Sequence, residues 1–225
     1  MQSKLYLLVL CAVSVTLAQD PLPTPFPNVW SANFVEHLYD KKHGHTQTKG
    51  TWYYDWTLKK FLIVRQNGAT EQLCGPVSNF KKTECHTLVT GGKRYLYYPE
   101  TKYCCFCCAD AHGCGMEKPN WFVNGKYLGE KHDQGYTVNI WDVKANQPNY
   151  VTQVAQGPYA GRTLRVFQVP DSNLVYDVTS VKTTVDPKLF NLPVGQNCQQ
   201  LCPATTLCGK FRSRGMKKVK DLVDQ

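Results

Sequence analysis

Cysteine is the residue whose type and spacing carry the most chemistry in this chain. Cys104-Cys105-Phe106-Cys107-Cys108 and Cys114 crowd together. Cys104-x-x-Cys107 and Cys105-x-x-Cys108 have the spacing of zinc ligands, with His112 nearby. In an oxidising compartment the same cluster is a disulfide knot. The N-terminus bears on the choice. Met1 to Ala18 reads as a secretory signal: Lys4 gives the positive start, Leu5 to Val15 the apolar stretch, and Thr16-Leu17-Ala18 the small residues of a cleavage site. The run is shorter than the roughly 20 apolar residues of a spanning helix, and Gln19-Asp20-Pro21-Leu22-Pro23 stops any helix behind it. Cys11 leaves with the signal, so ten of the eleven cysteines remain, an even number that permits full pairing. The cluster therefore reads as disulfides rather than as a metal site.

Adjacent cysteines rarely bond to each other, because the geometry is strained. Cys74, Cys85, Cys114, Cys198, Cys202 and Cys208 are thus the natural partners of Cys104, Cys105, Cys107 and Cys108, with the connectivity open. On a strand from Tyr103 to Cys108, Cys104 and Cys108 are expected on one side and Cys105 and Cys107 on the other. Either way the C-terminal segment is tied to the sheet. No βαβ pattern surrounds the Cys-x-x-Cys spacings, as a thioredoxin-like redox site would need.

Other chemistry is harder to place. His43-Gly44-His45 lies in a lysine-rich stretch, where a solvated loop is the simpler reading than a metal site. The sequence has no Gly-x-Ser-x-Gly, no His-Glu-x-x-His and no phosphate loop. Full cysteine pairing leaves no thiol nucleophile, and the 17 acidic residues are scattered. A non-enzyme is expected. The net charge is +9, and much of the excess sits at the C-terminus, where Lys210, Arg212, Arg214, Lys217, Lys218 and Lys220 face only Asp221 and Asp224. A basic tail outside the cell favours anionic matrix or membrane surfaces. Nucleic acid is excluded by the compartment. No Asn-x-Ser/Thr sequon occurs.

The elements that position these residues read as strands. The chain divides into the signal at 1–18, a proline-rich linker at 19–30, a β domain at 31–198 and a cysteine-containing basic tail at 199–225. Strands are predicted at Phe34–Tyr39, Thr51–Trp56, Lys60–Gln66, Thr87–Thr90, Arg94–Tyr98, Gly135–Val143, Tyr150–Ala155, Thr163–Val169 and Leu174–Val181. Lys41–Lys49 reads as a polar loop, and Asn67-Gly68 and Gly91-Gly92 as hairpin turns. Connections this short exclude crossover helices, so the class is all-β and antiparallel. One helical turn is expected at Asp186–Phe190, with Asp186 as N-cap and Pro187 first, and a second short helix near Gly215–Val223. A sheet with an apolar face and few helices to cover it can curl around its own core, dimerise or hold a greasy ligand.

Gly50-Thr51-Trp52-Tyr53-Tyr54-Asp55 is followed by Gly92-Lys93-Arg94-Tyr95-Leu96-Tyr97-Tyr98, Tyr127-Leu128-Gly129, Val138-Asn139-Ile140-Trp141 and Asp186-Pro187-Lys188-Leu189-Phe190-Asn191-Leu192-Pro193 with Cys198. In order and spacing this series resembles the ependymin-related secreted proteins over roughly residues 30 to 200. The resemblance implies a disulfide-bonded curved antiparallel sheet or half-barrel, like that of lipoprotein carriers, with a deep apolar pocket. It also implies lipid binding, calcium binding, homodimerisation and cell–matrix adhesion. The sequence departs from the family in its missing sequons, its Cys-Cys-x-Cys-Cys cluster and its basic tail, and no acidic cluster marks a calcium site. The expected function is a secreted binding protein, without a cofactor, holding a lipid or other hydrophobic molecule on the concave face of the sheet. Alternation nominates Trp52, Tyr54, Val138, Ile140, Phe167 and Val169 as pocket residues. The rival is an adhesive matrix protein whose tail binds anionic polymers.

Overall fold

Eleven strands among the described residues form one antiparallel sheet in this computed structural model, which describes residues 19–40, 44–144, 148–170 and 172–214. The chain lays the sheet down as two meanders. The first runs through β1 (Val29–Asp40), β2 (Gly44–Asp55), β3 (Lys60–Arg65), β4 (Cys85–Thr90), β5 (Lys93–Tyr98) and β6 (Tyr103–Ala109). The second runs through β7 (Lys126–Asp133), β8 (Tyr136–Lys144), β9 (Pro148–Val154), β10 (Thr163–Gln168) and β11 (Ser172–Tyr176). Pairing of β1 with β11, Phe34 opposite Tyr176 and Glu36 opposite Leu174, joins them at the centre.

Turn chemistry makes the hairpins. Gly91 and Gly92 both take positive φ between Thr90 and its partner Lys93, as a two-residue primed turn requires. Gln134-Gly135 does the same between β7 and β8. Asn67-Gly68 does not. Helix α1 (Cys74–Val77) stands between β3 and β4, and Gly68 packs against the Cys74–Cys85 bridge instead. A Cβ there would come within 2.6 Å of the Cys85 Cβ and 2.8 Å of the Cys74 Cβ. The expected loop at Lys41–Lys49 is also revised: from Gly44 onward it is strand, paired with β1. Strand β7 has no strand signal in the sequence because both its faces are largely polar and exposed. It is an edge strand, where lysines and a bulge around Gly129 discourage pairing with another chain.

The other edge is closed covalently. Residues 200–202 run beside β6: the Phe106 N–H donates to the Gln200 carbonyl and the Cys202 N–H to the Phe106 carbonyl. Three bridges, Cys104–Cys198, Cys105–Cys202 and Cys107–Cys208, fix this strip to β6. Cys108 pairs with Cys114, and Cys74 with Cys85 rather than with the cluster. Simple alternation fails within β6. A bulge opposite Arg94 and Tyr95 shifts the register, so Cys105, Cys107 and Cys108 share one buried cluster while Cys104 packs with Cys198 in another. Five disulfides fit an oxidising, non-cytoplasmic compartment.

The flanking segments are docked rather than free. The proline-rich segment is extended, as expected, but it is a strap: the Trp141 Nε1–H donates to the Pro21 carbonyl, and Gln153 binds Thr24 through both N–H and C=O. Asp186 caps the 3-10 turn Pro187–Phe190 by accepting from the Lys188 N–H, as predicted, and Phe190 is buried against Leu62 and Leu88. Residues 207–214 are helical, and the helix expected at Gly215–Val223 lies outside the described residues. Arg212 of the basic tail is not a solvated charge. Its guanidinium donates to the carbonyls of Phe106, Cys107 and Cys202, and burial pulls its pKa below the usual value.

Candidate functional site

Alternation along β1 puts Trp30, Ala32, Phe34, Glu36 and Leu38 on one face, called here the inner face. The cross-strand pairs extend it in rows. One row runs Trp30, Tyr54, Phe61, Val89, Arg94 across β1 to β5; the next runs Ala32, Trp52, Ile63, Thr87, Leu96. On the other side of β1, Glu36 continues through Leu174, Val166 and Val151 to Trp141. Arg94 of β5 and Val166 of β10 nevertheless line the same cavity. In a flat sheet those strands would lie on the order of 30 Å apart, at about 4.8 Å per step. The sheet therefore curls, and the inner face is its concave side.

The cavity has a volume of about 280 Å³, near the lower end of the roughly 300–1,000 Å³ of small-ligand pockets. Its wall is aromatic: Trp30, Trp52, Tyr54, Phe61 and Tyr176 come from the strands. Phe26 of the strap and Trp121 of the β6–β7 connection close over them. Phe26 stacks on Trp30 at 4.9 Å between ring centroids and meets Phe122 edge-on at 5.3 Å. The Tyr54 hydroxyl donates to the Glu117 carbonyl, which pins the connection to the wall. Burial pushes the Tyr54 phenol well up, and the Glu117 charge adds to this.

Ionic groups are built into this wall. Arg65 Nε donates to Glu36 Oε2 at 2.6 Å, and Ser172 Oγ donates to Glu36 Oε1 at 2.9 Å. Both ionic side chains are almost wholly buried. Burial alone would pull the Arg65 guanidinium down, but the charges of Glu36 and Glu71 and the Glu36 hydrogen bond outweigh it and hold it above its usual value. Glu71 Oε2 accepts from the N–H groups of Leu73 and Cys74 at the start of α1. Arg94 is placed differently. Its Nη2 donates to the Gly115 carbonyl at 3.2 Å, and its guanidinium sits 5.7 Å from the Phe61 centroid. Its Nε is buried with no hydrogen-bond partner among the described residues. Burial pulls Arg94 below its usual value, against the more distant charges of Glu71 and Glu117.

Of the residues nominated from sequence, Trp52 and Tyr54 line the cavity. Val138, Ile140, Phe167 and Val169 do not. Strand parity puts Val138 and Ile140 opposite to Trp141, and Phe167 opposite to Val166 and Gln168. Val138 is buried on the outer face with Val154, Leu164 and Val178. Both faces of β8 and β10 bury apolar groups, so alternation could not choose between them. Trp30 lies in β1 rather than in the linker expected at 19–30, and Trp30-x-Ala32-x-Phe34 carries the strand alternation. The buried pair Glu36–Arg65 had no sequence signal of its own, being 29 residues apart. His45 stands in β2 with its Nε2 3.3 Å from His37 Nδ1, while His43 lies outside the described residues. Among the described residues no three His, Cys, Asp or Glu side chains gather as metal ligands do.

No family model matches the chain, and no curated protein matches it. Solved structures do. An uncharacterised conserved protein from Thermus thermophilus is similar at a TM-score of 0.49 and 11% identity, over 77% of this chain and 91% of that one. A LolA superfamily protein from Nitrosomonas europaea is similar at 0.39 and 11%, over 75% and 93%. The MucA/MucB complex of Pseudomonas aeruginosa gives 0.38 and 8%, over 76% and 57%.

Proposed function

We propose that this protein is a secreted, non-enzymatic carrier that holds one hydrophobic or amphipathic small molecule on the concave side of its sheet, and that it is an ependymin-related protein. The observation that carries this reading is the cavity: an aromatic wall drawn from both meanders and roofed by Phe26 and Trp121. Such a site binds by excluding water from apolar surface and involves no covalent step. Each buried methylene contributes about 0.8 kcal/mol, so roughly ten of them match the roughly 8.2 kcal/mol of micromolar binding before the entropic cost of association. The motif series Gly50–Asp55, Gly92–Tyr98 and Asp186–Pro193 supports the family assignment, and the five bridges support secretion.

Mass spectrometry of the secreted protein, native and then denatured, tests the reading. A native mass that exceeds the denatured polypeptide by an extractable, lipid-sized amount is expected. A native protein that neither carries an adduct nor takes one up from added dodecanol or dodecanoate would overturn it.

A further inference from the structure

Three groups of the cavity wall have hydrogen-bond donors to spare. Trp30 Nε1, Trp52 Nε1 and Arg94 Nε are all buried and have no acceptor among the described residues. Buried donors left unmet are costly, so these atoms mark positions where acceptors belong. Trp30 and Arg94 stand at the two ends of one cross-strand row, on β1 and β5, and Trp52 is in the next row. One of the three belongs to a guanidinium.

The charges of the wall define the acceptor further. Glu36 is taken up by Arg65 and Ser172. Glu71 spends its Oε2 on two backbone N–H groups. Glu117 and Lys118 stand exposed in the β6–β7 connection. Among the described residues Arg94 has no carboxylate within ion-pair distance, and its guanidinium donates to the Gly115 carbonyl alone. An arginine cannot relieve this by losing its proton. Its planar fork fits a carboxylate or a phosphate, which offers two oxygens at once.

We propose that the cavity selects amphiphiles with a single anionic head, a carboxylate or a phosphate ester, and seats that head on Arg94 with its apolar chain against Trp30, Tyr54 and Phe61. The proposal rests on the carrier reading above and adds the chemistry of the head and its location. The row from Trp30 to Arg94 then works as a ruler: aromatic rings hold the chain, and the arginine at its end holds the oxygens. The volume of about 280 Å³ suits one chain rather than two.

Tryptophan fluorescence titration with matched twelve-carbon ligands tests this. Dodecanoate and dodecyl phosphate are expected to bind the wild-type protein at least about tenfold more tightly than dodecanol, the size of effect a charge-assisted hydrogen bond gives. Dodecyltrimethylammonium is expected to bind more weakly than dodecanol. In Arg94→Gln the ratio of dodecanoate to dodecanol affinity should fall to about one. Arg94→Lys should restore part of the ratio. Equal binding of dodecanoate and dodecanol to the wild type would overturn the head-group assignment and leave the carrier reading standing. A preference that survives intact in Arg94→Gln would move the anion elsewhere and overturn the seat. No binding of any of the four ligands would defeat both. The wild-type comparison decides the first point even if Arg94→Gln does not fold.

Discussion

The two meanders are held together by different means. The flank β1–β6 and the strip docked on it contain all ten described cysteines, joined in five bridges. The flank β7–β11 contains none and relies on packing: Trp141, Val143 and Val151 on the inner face, Val138, Val154 and Leu164 on the outer. In the β5–β6 region the buried cluster is built chiefly of the cysteines themselves, with Leu73, Leu96 and Tyr98. The cavity lies across the seam, with walls from both sides. The bridged flank and the packed flank are joined by the β1–β11 backbone ladder.

Breaking each flank in its own way sharpens the contrast. The largest effect is expected for Trp141→Ala, which removes the largest fully buried side chain of the unbridged flank and the donor to the Pro21 carbonyl. A loss of about 3–5 kcal/mol should appear in denaturant unfolding, with no bridge to limit it. Next, replacing Cys105 and Cys202 together by serine removes a link between residues 97 apart in sequence. It should cost about 2–4 kcal/mol and raise hydrogen exchange in β6 before that in β10. The smallest effect is expected for Arg165→Ala. Arg165 makes a two-pronged ion pair with Asp133, at 2.8 and 2.9 Å, partly open to solvent. About 1 kcal/mol should be lost, and less in high salt.

The same contrast explains what the sequence could and could not reveal. A strand with sides of different polarity, such as β1, and turns with a steric signature, such as Gly91-Gly92, were legible locally. The disulfide class was legible from the even number of cysteines that follow the signal-like N-terminal run. The pairing was not, because a bulge in β6 breaks the period-two rule that alternation depends on. The site was half legible. Trp52 and Tyr54 belong to a strand whose sides differ, whereas Val138, Ile140, Phe167 and Val169 belong to the unbridged flank. There the segment around Val178 covers the outer face and makes both parities apolar. Arg65, Glu36 and Arg94 were invisible as site residues because a charge in a strand reads as solvent-facing until the fold buries it.

Photo-crosslinking tests the central claim most directly. Dodecanoate carrying a diazirine on its chain would be bound to the protein, irradiated, and its attachment sites mapped by peptide sequencing. Labels should fall on inner-face residues such as Trp52, Phe61 and Trp121, and be displaced by unlabelled dodecanoate. Displaceable labelling confined to Val138, Ile140 and Phe167 on the outer face would contradict the concave site.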